Sequence, residues 1–304
     1  MKKLHAKALI NFDTIRRSGS IRAAARQLHM SSSTLNRQLL ELEAQIGAPL
    51  FERLRTGLVL TPSGEVLARH VIHVIQDADR VSSELQALRG LQAGHINLVT
   101  VEALTRAFIP SLMGRMADAH PRVTLSTRIY GSRLAAESVA NGSADVAISF
   151  LQDRNPELHQ FAVAPFQLGA VVSPSHPLSG KKSVAFSECA PFPLVLPTAE
   201  LSIYQTLQPL LRSAQAPLDV TLETSSFELM RQMAVRGRAI AFVNRFGIEE
   251  DLQKGRLLHL PLKKVAPSLL CVYVRAGRSL PKAVQAFCQF AADELGRYQK
   301  RVSS

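Results

Sequence analysis

Between Ser20 and Ile46 the apolar residues recur in two short helical registers, separated by a break too brief to be a loop. In SIRAAARQLHMSSSTLNRQLLELEAQI the first register, Ile21 to Leu28, is alanine-rich and follows Ser20, whose hydroxyl is suited to accept a bond from an unpaired backbone N–H. The second begins after His29-Met30 with Ser31 as its cap. It places Leu35, Leu39, Leu42 and Ile46 on one face, at steps of four, three and four. Ser32, Ser33, Asn36 and Arg37 then share the opposite face, with Thr34 beside them. Hydroxyl, amide and guanidinium groups of this kind suit phosphates and base edges. The pattern predicts a helix-turn-helix whose second helix enters a major groove.

An ordinary helical hairpin with a solvated face has the same periodicity, so the flanks matter. Upstream, Leu4 to Arg17 predicts another helix, with Leu9, Phe12 and Ile15 inward and Gly19 at its end. Downstream, Gly47-Ala48-Pro49 stops the second helix. Phe51 to Leu60 then predicts two strands turning at Thr56-Gly57. Such a hairpin is a wing, and Arg53 and Arg55 on it would reach the flanking backbone or the minor groove.

Beyond the wing, Thr61 caps a long helix and Pro62 takes its first position, where a missing N–H costs nothing. Leu67, Val71, Val74, Ala78, Val81, Leu85 and Leu88 follow at alternating steps of four and three. That heptad seam predicts two such helices packed together, hence a dimer or tetramer of this chain reading an imperfect palindrome. The competing expectation is that the helix lies on its own domain. Two glycines within Arg89 to Gly94 mark a hinge.

From His95 onward, strands alternate with helices. Strands are expected at His95–Val101, Val123–Ile129, Val146–Phe150, Leu168–Val172, Leu194–Leu196, Asp219–Glu223, Ala239–Val243 and Ser268–Val274. Helices are expected at Thr105–Ala119, Ser132–Asn141, Ser202–Ser213, Ser226–Arg236 and Pro281–Arg297. Alternation of this kind predicts a mainly parallel sheet covered on both faces, and the stretch is too long for one compact unit.

Charge supports a polyanionic partner. The net charge is +12, and the first 62 residues hold ten Lys/Arg against four Asp/Glu, the densest positive stretch of the 304. No apolar run approaches the roughly twenty residues that cross a bilayer, so no membrane partner is expected. Although the chain opens with lysines, Asn11, Asp13 and Arg16 interrupt the apolar run that follows, against a signal peptide. Cys189, Cys271 and Cys288 have no metal-ligand spacing; they suggest a reducing cytoplasm and thiols packed as small hydrophobes.

The N-terminal residues also carry a resemblance. Ser20, Ala23, Ala24, Leu28, Ser31, Leu35, Arg37, Gln38, Leu42, Glu43, Gly47, Leu50, Phe51 and Arg53, then Leu60-Thr61-Pro62-Ser63-Gly64, follow without a gap the pattern of the DNA-binding half of a LysR-type transcriptional regulator. Ser32-Ser33 stand where the family usually has Gln-Pro, and Asn36 where it has Ser; these departures bear on base preference. Further on, Ala119 to Val123, Asn141 to Ile148 and Ser175 to Leu178 resemble family landmarks. The resemblance implies an α/β chain with an all-α-type winged helix-turn-helix N-terminal domain, a long linker helix, and two α/β subdomains like those of periplasmic binding proteins. The corresponding limits are 1–62, 63–93 and 94–304, with subdomain I at about 94–163 and 268–304 and subdomain II at about 164–267. The chain would cross between them at Gln160 to Gln167 and at Lys263 to Pro267. The implied partners are double-stranded promoter DNA, a small-molecule effector, further copies of the chain and RNA polymerase, with no cofactor.

In open α/β sheets, ligands bind beyond the carboxyl ends of strands, against helix N-termini. Those ends give Thr100, Glu102, Gly131, Ser132 and Ser149 from one subdomain, and Pro197, Thr198, Thr224 to Ser226 and Asn244 from the other. Each hydroxyl alone is better explained by helix capping. As a converging set they form the candidate effector site, of which Thr100, Glu102, Ser132, Ser149, Thr198, Ser225 and Asn244 are the principal members. Glu102 stands where relatives commonly have a small hydroxyl residue, which disfavours an anionic effector beside it or else holds a basic or hydroxylated one. Arg238 and Asn244 likewise depart from the Gly and Pro usual there.

No G-x-x-x-x-G-K-[ST], H-E-x-x-H or G-x-S-x-G motif is present, and the nine histidines are scattered, so an enzyme is not expected. The alternatives are a sequence-insensitive DNA-organising protein, a redox-sensing regulator without a small-molecule effector, and a solute receptor; the wing and the missing export signal count against the last.

Overall fold

The computed structural model describes residues 7–55, 57–88, 94–150, 155–214, 217–277 and 279–303. The expected helix start at Leu4 to Ala6, turn residue Thr56 and the hinge at 89–93 lie outside them. Helix α1 (Lys7–Ser18) is followed by α2 (Ile21–Gln27), α3 (Ser32–Ile46), a hairpin of β1 (Phe51–Leu54) and β2 (Gly57–Leu60), and the 27-residue α4 (Pro62–Leu88). These form an N-terminal unit. The remainder is a separate unit built on two five-stranded sheets.

The N-terminal core gathers Phe12 and Ile15 of α1, Ala24 and Ala25 of α2, Leu35, Leu39 and Leu42 of α3, and Phe51 of the wing. The 3.6-residue period thus selects the buried face, except that Ile46 is 42% exposed because α3 ends there. Gly47 closes α3 in the left-handed conformation at φ 77°, its N–H donating to Glu43 O. His29 takes φ 53° between α2 and α3, which makes the turn as tight as the sequence implies. Ser20 occupies the cap position of α2 but, against expectation, its hydroxyl makes no capping bond.

The seam of α4 divides. Val71 is buried in the N-terminal core and Leu67 packs against it, so this end lies on its own domain. Leu85 is 47% exposed, and the side chain of Leu88 lies outside the described residues.

In the C-terminal unit, β3 (Gly94–Thr100) leads through a one-turn 3-10 segment (Glu102–Leu104) into α5 (Phe108–Ala119), β4 (Val123–Ile129), α6 (Ser132–Ala140), β5 (Val146–Phe150) and β6 (Leu158–Phe166). Next come β7 (Gly169–Val172), α7 (Phe186–Cys189), β8 (Leu194–Pro197), α8 (Ser202–Arg212), β9 (Val220–Thr224) and α9 (Phe227–Val235). The chain finishes with β10 (Ile240–Val243), α10 (Glu249–Gln253), β11 (Leu258–Pro261), β12 (Ser268–Arg275) and α11 (Lys282–Ser303). The first sheet has the order β4-β3-β5-β12-β6 and the second β11-β7-β10-β8-β9.

The expectation of mainly parallel sheets needs correction. β4, β3 and β5 are parallel, but β12 runs antiparallel to both β5 and β6, because it re-enters the first sheet from the second. β7 is likewise antiparallel to β10 and β11. The first crossing is corrected too: Gln160 to Phe166 belongs to β6, paired with β12 as far as Phe166↔Ser268, so the chain leaves the first sheet at Gln167. β6 and β11 are both edge strands. LHQFAVAPF has no clean alternation and includes a proline, and LHLP is four residues ending in proline, so neither carries the pattern by which a strand is recognised.

Candidate nucleic-acid interface and effector cleft

The helix-turn-helix is positioned by its own polar residues. Ser31 Oγ accepts from Thr34 N (3.1 Å) and lies 2.9 Å from Ser33 Oγ and 2.8 Å from Thr34 Oγ1, so its hydroxyl organises the start of α3. Glu43 Oε1 accepts from the backbone N–H groups of Leu50 (2.7 Å) and Phe51 (3.3 Å), tying the end of α3 to the wing. Thr61 Oγ1 donates to Pro49 O (2.7 Å) and accepts from Gly64 N (3.0 Å). A Cβ at Gly64 would stand 2.1 Å from Leu50 O, which is why this position holds glycine.

Ser32, Ser33 and Arg37 of α3 are exposed, as are Arg53 and Arg55 of the wing; Asn36 and Thr34 are half-buried. Arg37 has 74% of its side chain accessible and makes a loose 3.6 Å approach to Glu41. Arg53 Nη2 donates to Asn36 Oδ1 (2.9 Å), so wing and helix offer amide and guanidinium as one connected unit. Nothing in the local sequence signals that bond, since it joins residues 17 apart.

The seven expected effector residues divide by what their polar atoms already do. Thr100 is buried and its hydroxyl donates to Ile148 O (3.0 Å). Glu102 Oε2 accepts from Phe227 N (2.7 Å) and Oε1 from Ser226 Oγ (3.3 Å), so it caps α9, which belongs to the other sheet's layer. Ser225 is exposed and Thr198 half-buried, its N–H donating to Thr224 O (3.1 Å). Ser132, Ser149 and Asn244 are buried, and Ser132 Oγ, Ser149 Oγ and both polar atoms of the Asn244 amide have no partner within the chain.

The strand ends of the two sheets face one another. A Cβ on Gly131, between β4 and α6, would stand 2.3 Å from Glu200 O, just after β8. On the other side a Cβ on Gly247 would stand 2.7 Å from Ala103 O. Phe246, which follows β10, inserts into an aromatic cluster of the first sheet's layer: it stacks on Tyr298 (4.3 Å, 13°) and meets Phe166 edge-on (4.5 Å). The Tyr298 hydroxyl donates to Glu249 and to Arg245 O. Arg106 reaches Glu228 (3.1 Å) and Glu250 (3.6 Å), and Arg231 pairs with the fully buried Asp251. Bonds from Arg231 hold the Glu228 carboxyl well down, at about 2. Arg106, Phe246 and Tyr298 escaped sequence reading because a bridging residue has no spacing rule.

Burial pushes the Cys189 thiol up to about 12 and raises Cys271 as well, the reverse of an activated thiol. All three cysteines are buried and none is in a disulfide. Burial also lowers the His259 imidazole to about 4; its Nε2 lies 3.1 Å from Val243 O, just before Asn244. Among the described residues, no helix is long and apolar enough to cross a membrane.

Comparison with known proteins agrees with this two-part architecture. Residues 6–65 match the model of the bacterial regulatory helix-turn-helix protein, lysR family, and residues 89–296 that of the LysR substrate binding domain. The RuBisCO operon transcriptional regulator of Allochromatium vinosum is 24% identical over 292 residues, 96% of each chain. A full-length OxyR variant from Pseudomonas aeruginosa shares the fold, with a TM-score of 0.71 at 18% identity over 96% of this chain and 95% of that one. So does full-length CbnR in complex with its target DNA, at a TM-score of 0.56 and 18% identity, covering 95% and 99%. With both family models matched across most of its length, this chain belongs to the LysR family of transcriptional regulators, which are not enzymes.

Proposed function

We propose that this chain binds promoter DNA sequence-specifically through α3 and its wing, and that a small molecule held between its two α/β subdomains modulates that binding. In this reading Ser32, Ser33, Thr34, Asn36 and Arg37 face the major groove, Ser31 sets the start of the reading helix, and Arg53 and Arg55 engage the flanking backbone. The chain works in the cytoplasm as a homo-oligomer paired along the exposed half of the α4 seam, and RNA polymerase at the promoter is its further partner. The domain limits are 1–62, 63–93 and 94–304.

One observation carries the DNA reading: α3 buries Leu35, Leu39 and Leu42 while Arg37, on its other face, is 74% accessible. The effector reading rests on Ser132, Ser149 and Asn244, buried polar groups at converging strand and helix ends whose side chains find no partner within the chain. With Thr100, Glu102, Thr198 and Ser225 they make the proposed site. A ligand there alters DNA binding only if it binds one arrangement of the subdomains better than another.

Selection of bound sites from random DNA tests the first part. A consensus with two half-sites is expected, and Arg37→Ala should weaken binding to it by about 5- to 100-fold, the range of one lost base-edge or phosphate contact. The thermal midpoint should stay unchanged, because an exposed ion pair such as Arg37–Glu41 contributes little. Equal affinity for every sequence, with a steep salt dependence, would instead establish the DNA-organising alternative.

A further inference from the structure

Helix α9 is nine residues long and begins at the strand ends where the two sheets of the C-terminal unit face each other. Its first N–H groups and aligned dipoles favour a negative group. That position is taken by a side chain of this protein: the Glu102 carboxylate accepts from Phe227 N at 2.7 Å and from Ser226 Oγ at 3.3 Å. Arg106, the nearest cation on the same loop, already pairs with Glu228 and Glu250, so it cannot balance a second carboxylate. Among the residues around these strand ends that are more than nine-tenths buried, the polar side-chain atoms without a partner in the chain are uncharged. They are Ser132 Oγ, Ser149 Oγ and the Asn244 amide. Buried polar groups of this kind require hydrogen-bonding partners, and hydroxyls and an amide offer both donors and acceptors.

We propose that Glu102 is a tethered stand-in for an anionic effector group: its carboxylate occupies the α9 N-terminus in the cleft and makes the site selective for an uncharged ligand bearing hydroxyl or amide groups. The inference rests on the effector reading above. An incoming carboxylate at the start of α9 would meet a like charge. A neutral ligand meets unpaired hydroxyls and an amide.

Chemical rescue in the full-length protein, without DNA or effector, tests the assignment. Glu102→Ala removes the carboxylate, though Ser226 still caps α9, and should lower the thermal midpoint by about 2–4 °C, as loss of a charge-assisted bond at a helix start does in a domain of this size. Sodium acetate at tens of millimolar should then restore most of that loss in the variant and leave wild type unmoved, while acetamide and sodium chloride restore nothing. Acetate raising wild type equally, or failing to move a folded Glu102→Ala protein, would overturn the proposal. Should that variant not fold, Glu102→Gln keeps the side chain's size. Faster amide exchange at Phe227 than in wild type would then support the assignment, and unchanged exchange would overturn it. Because no effector enters the experiment, its failure is separate from failure of the effector reading, which is decided by whether any metabolite alters the DNA complex.

Discussion

In the winged unit, the polar residues that hold the fold and those that face outward are largely different residues. Glu43 and Thr61 bond to backbone, and Gly64 admits the close approach of Leu50, while Ser32, Ser33 and Arg37 stand exposed. In the α/β unit the two duties fall on the same residues. Thr100 and Glu102, both expected at a ligand site, are taken up by Ile148 O and by the start of α9, while Ser132, Ser149 and Asn244 keep polar atoms without a partner in the chain. A surface that meets a long polyanion must be continuous and outward, so one helical period describes it. A cleft between two sheets is assembled from loops that are distant in sequence, and each of its polar groups must be satisfied by the chain itself or by a ligand.

This contrast predicts where each unit is most sensitive. The largest effect should come from Asp251→Asn in the α/β unit. Asp251 is fully buried and receives Arg231, itself 5% exposed, together with Arg256 at 2.7 Å. Asparagine there removes the buried charge that both arginines face, leaving Arg231 to Glu228 and Arg256 to Glu250, and the loss of two charge-assisted bonds should cost about 3 kcal/mol. Urea unfolding followed by circular dichroism should show the C-terminal unit's transition move to lower denaturant with the N-terminal one unmoved. A neutral result would mean that buried ions do not hold this unit, and the contrast would fail on that side.

Gly64→Ala probes the other unit. The added methyl would sit 2.1 Å from Leu50 O and 3.0 Å from the Leu60 side chain, and backbone cannot yield as a flexible side chain can. Displacing the start of α4 from the wing should cost about 1–3 kcal/mol, the usual range for overpacking. The loss should appear in the N-terminal unit's own transition, with binding of the selected DNA site weakened in proportion to the unfolded fraction.

The same contrast explains what could be read from the residues. Leu35, Leu39 and Leu42 obey a helical period and are buried, and Thr61-Pro62 marks the start of α4 where it occurs. Ile46 fails because α3 ends beside it, and Leu67 and Val71 fit a dimer seam and a domain core equally well by spacing. In the α/β unit the buried central strands were legible as apolar runs. β6 and β11 were not, since LHQFAVAPF does not alternate cleanly and LHLP is four residues ending in proline. Direction was equally hidden: β12 and β7 are antiparallel because the chain passes between sheets, a long-range fact that no window of residues contains. Glu102 could be placed at a strand end, yet its partners Ser226 and Phe227 lie more than a hundred residues away.

The smallest expected effect concerns pH. Burial holds the His259 imidazole at about 4 rather than 6.5, neutral beside Val243 O and against Gly169. Between those two values the unfolded chain binds a proton that the folded chain does not, so stability falls as pH drops below about 6.5 and the loss is complete near 4. From pH 7 to 5.5 the linkage amounts to about 1 kcal/mol. His259→Gln can still donate to Val243 O but does not titrate. Its unfolding midpoint should therefore decline less than wild type's over that interval, while the two proteins' pH dependence above 7 should run parallel. Parallel curves throughout would place the imidazole in water. The end of β10, and Asn244 after it, would then be open to solvent, and the α/β unit would resemble the winged unit at the one place where the two are held to differ.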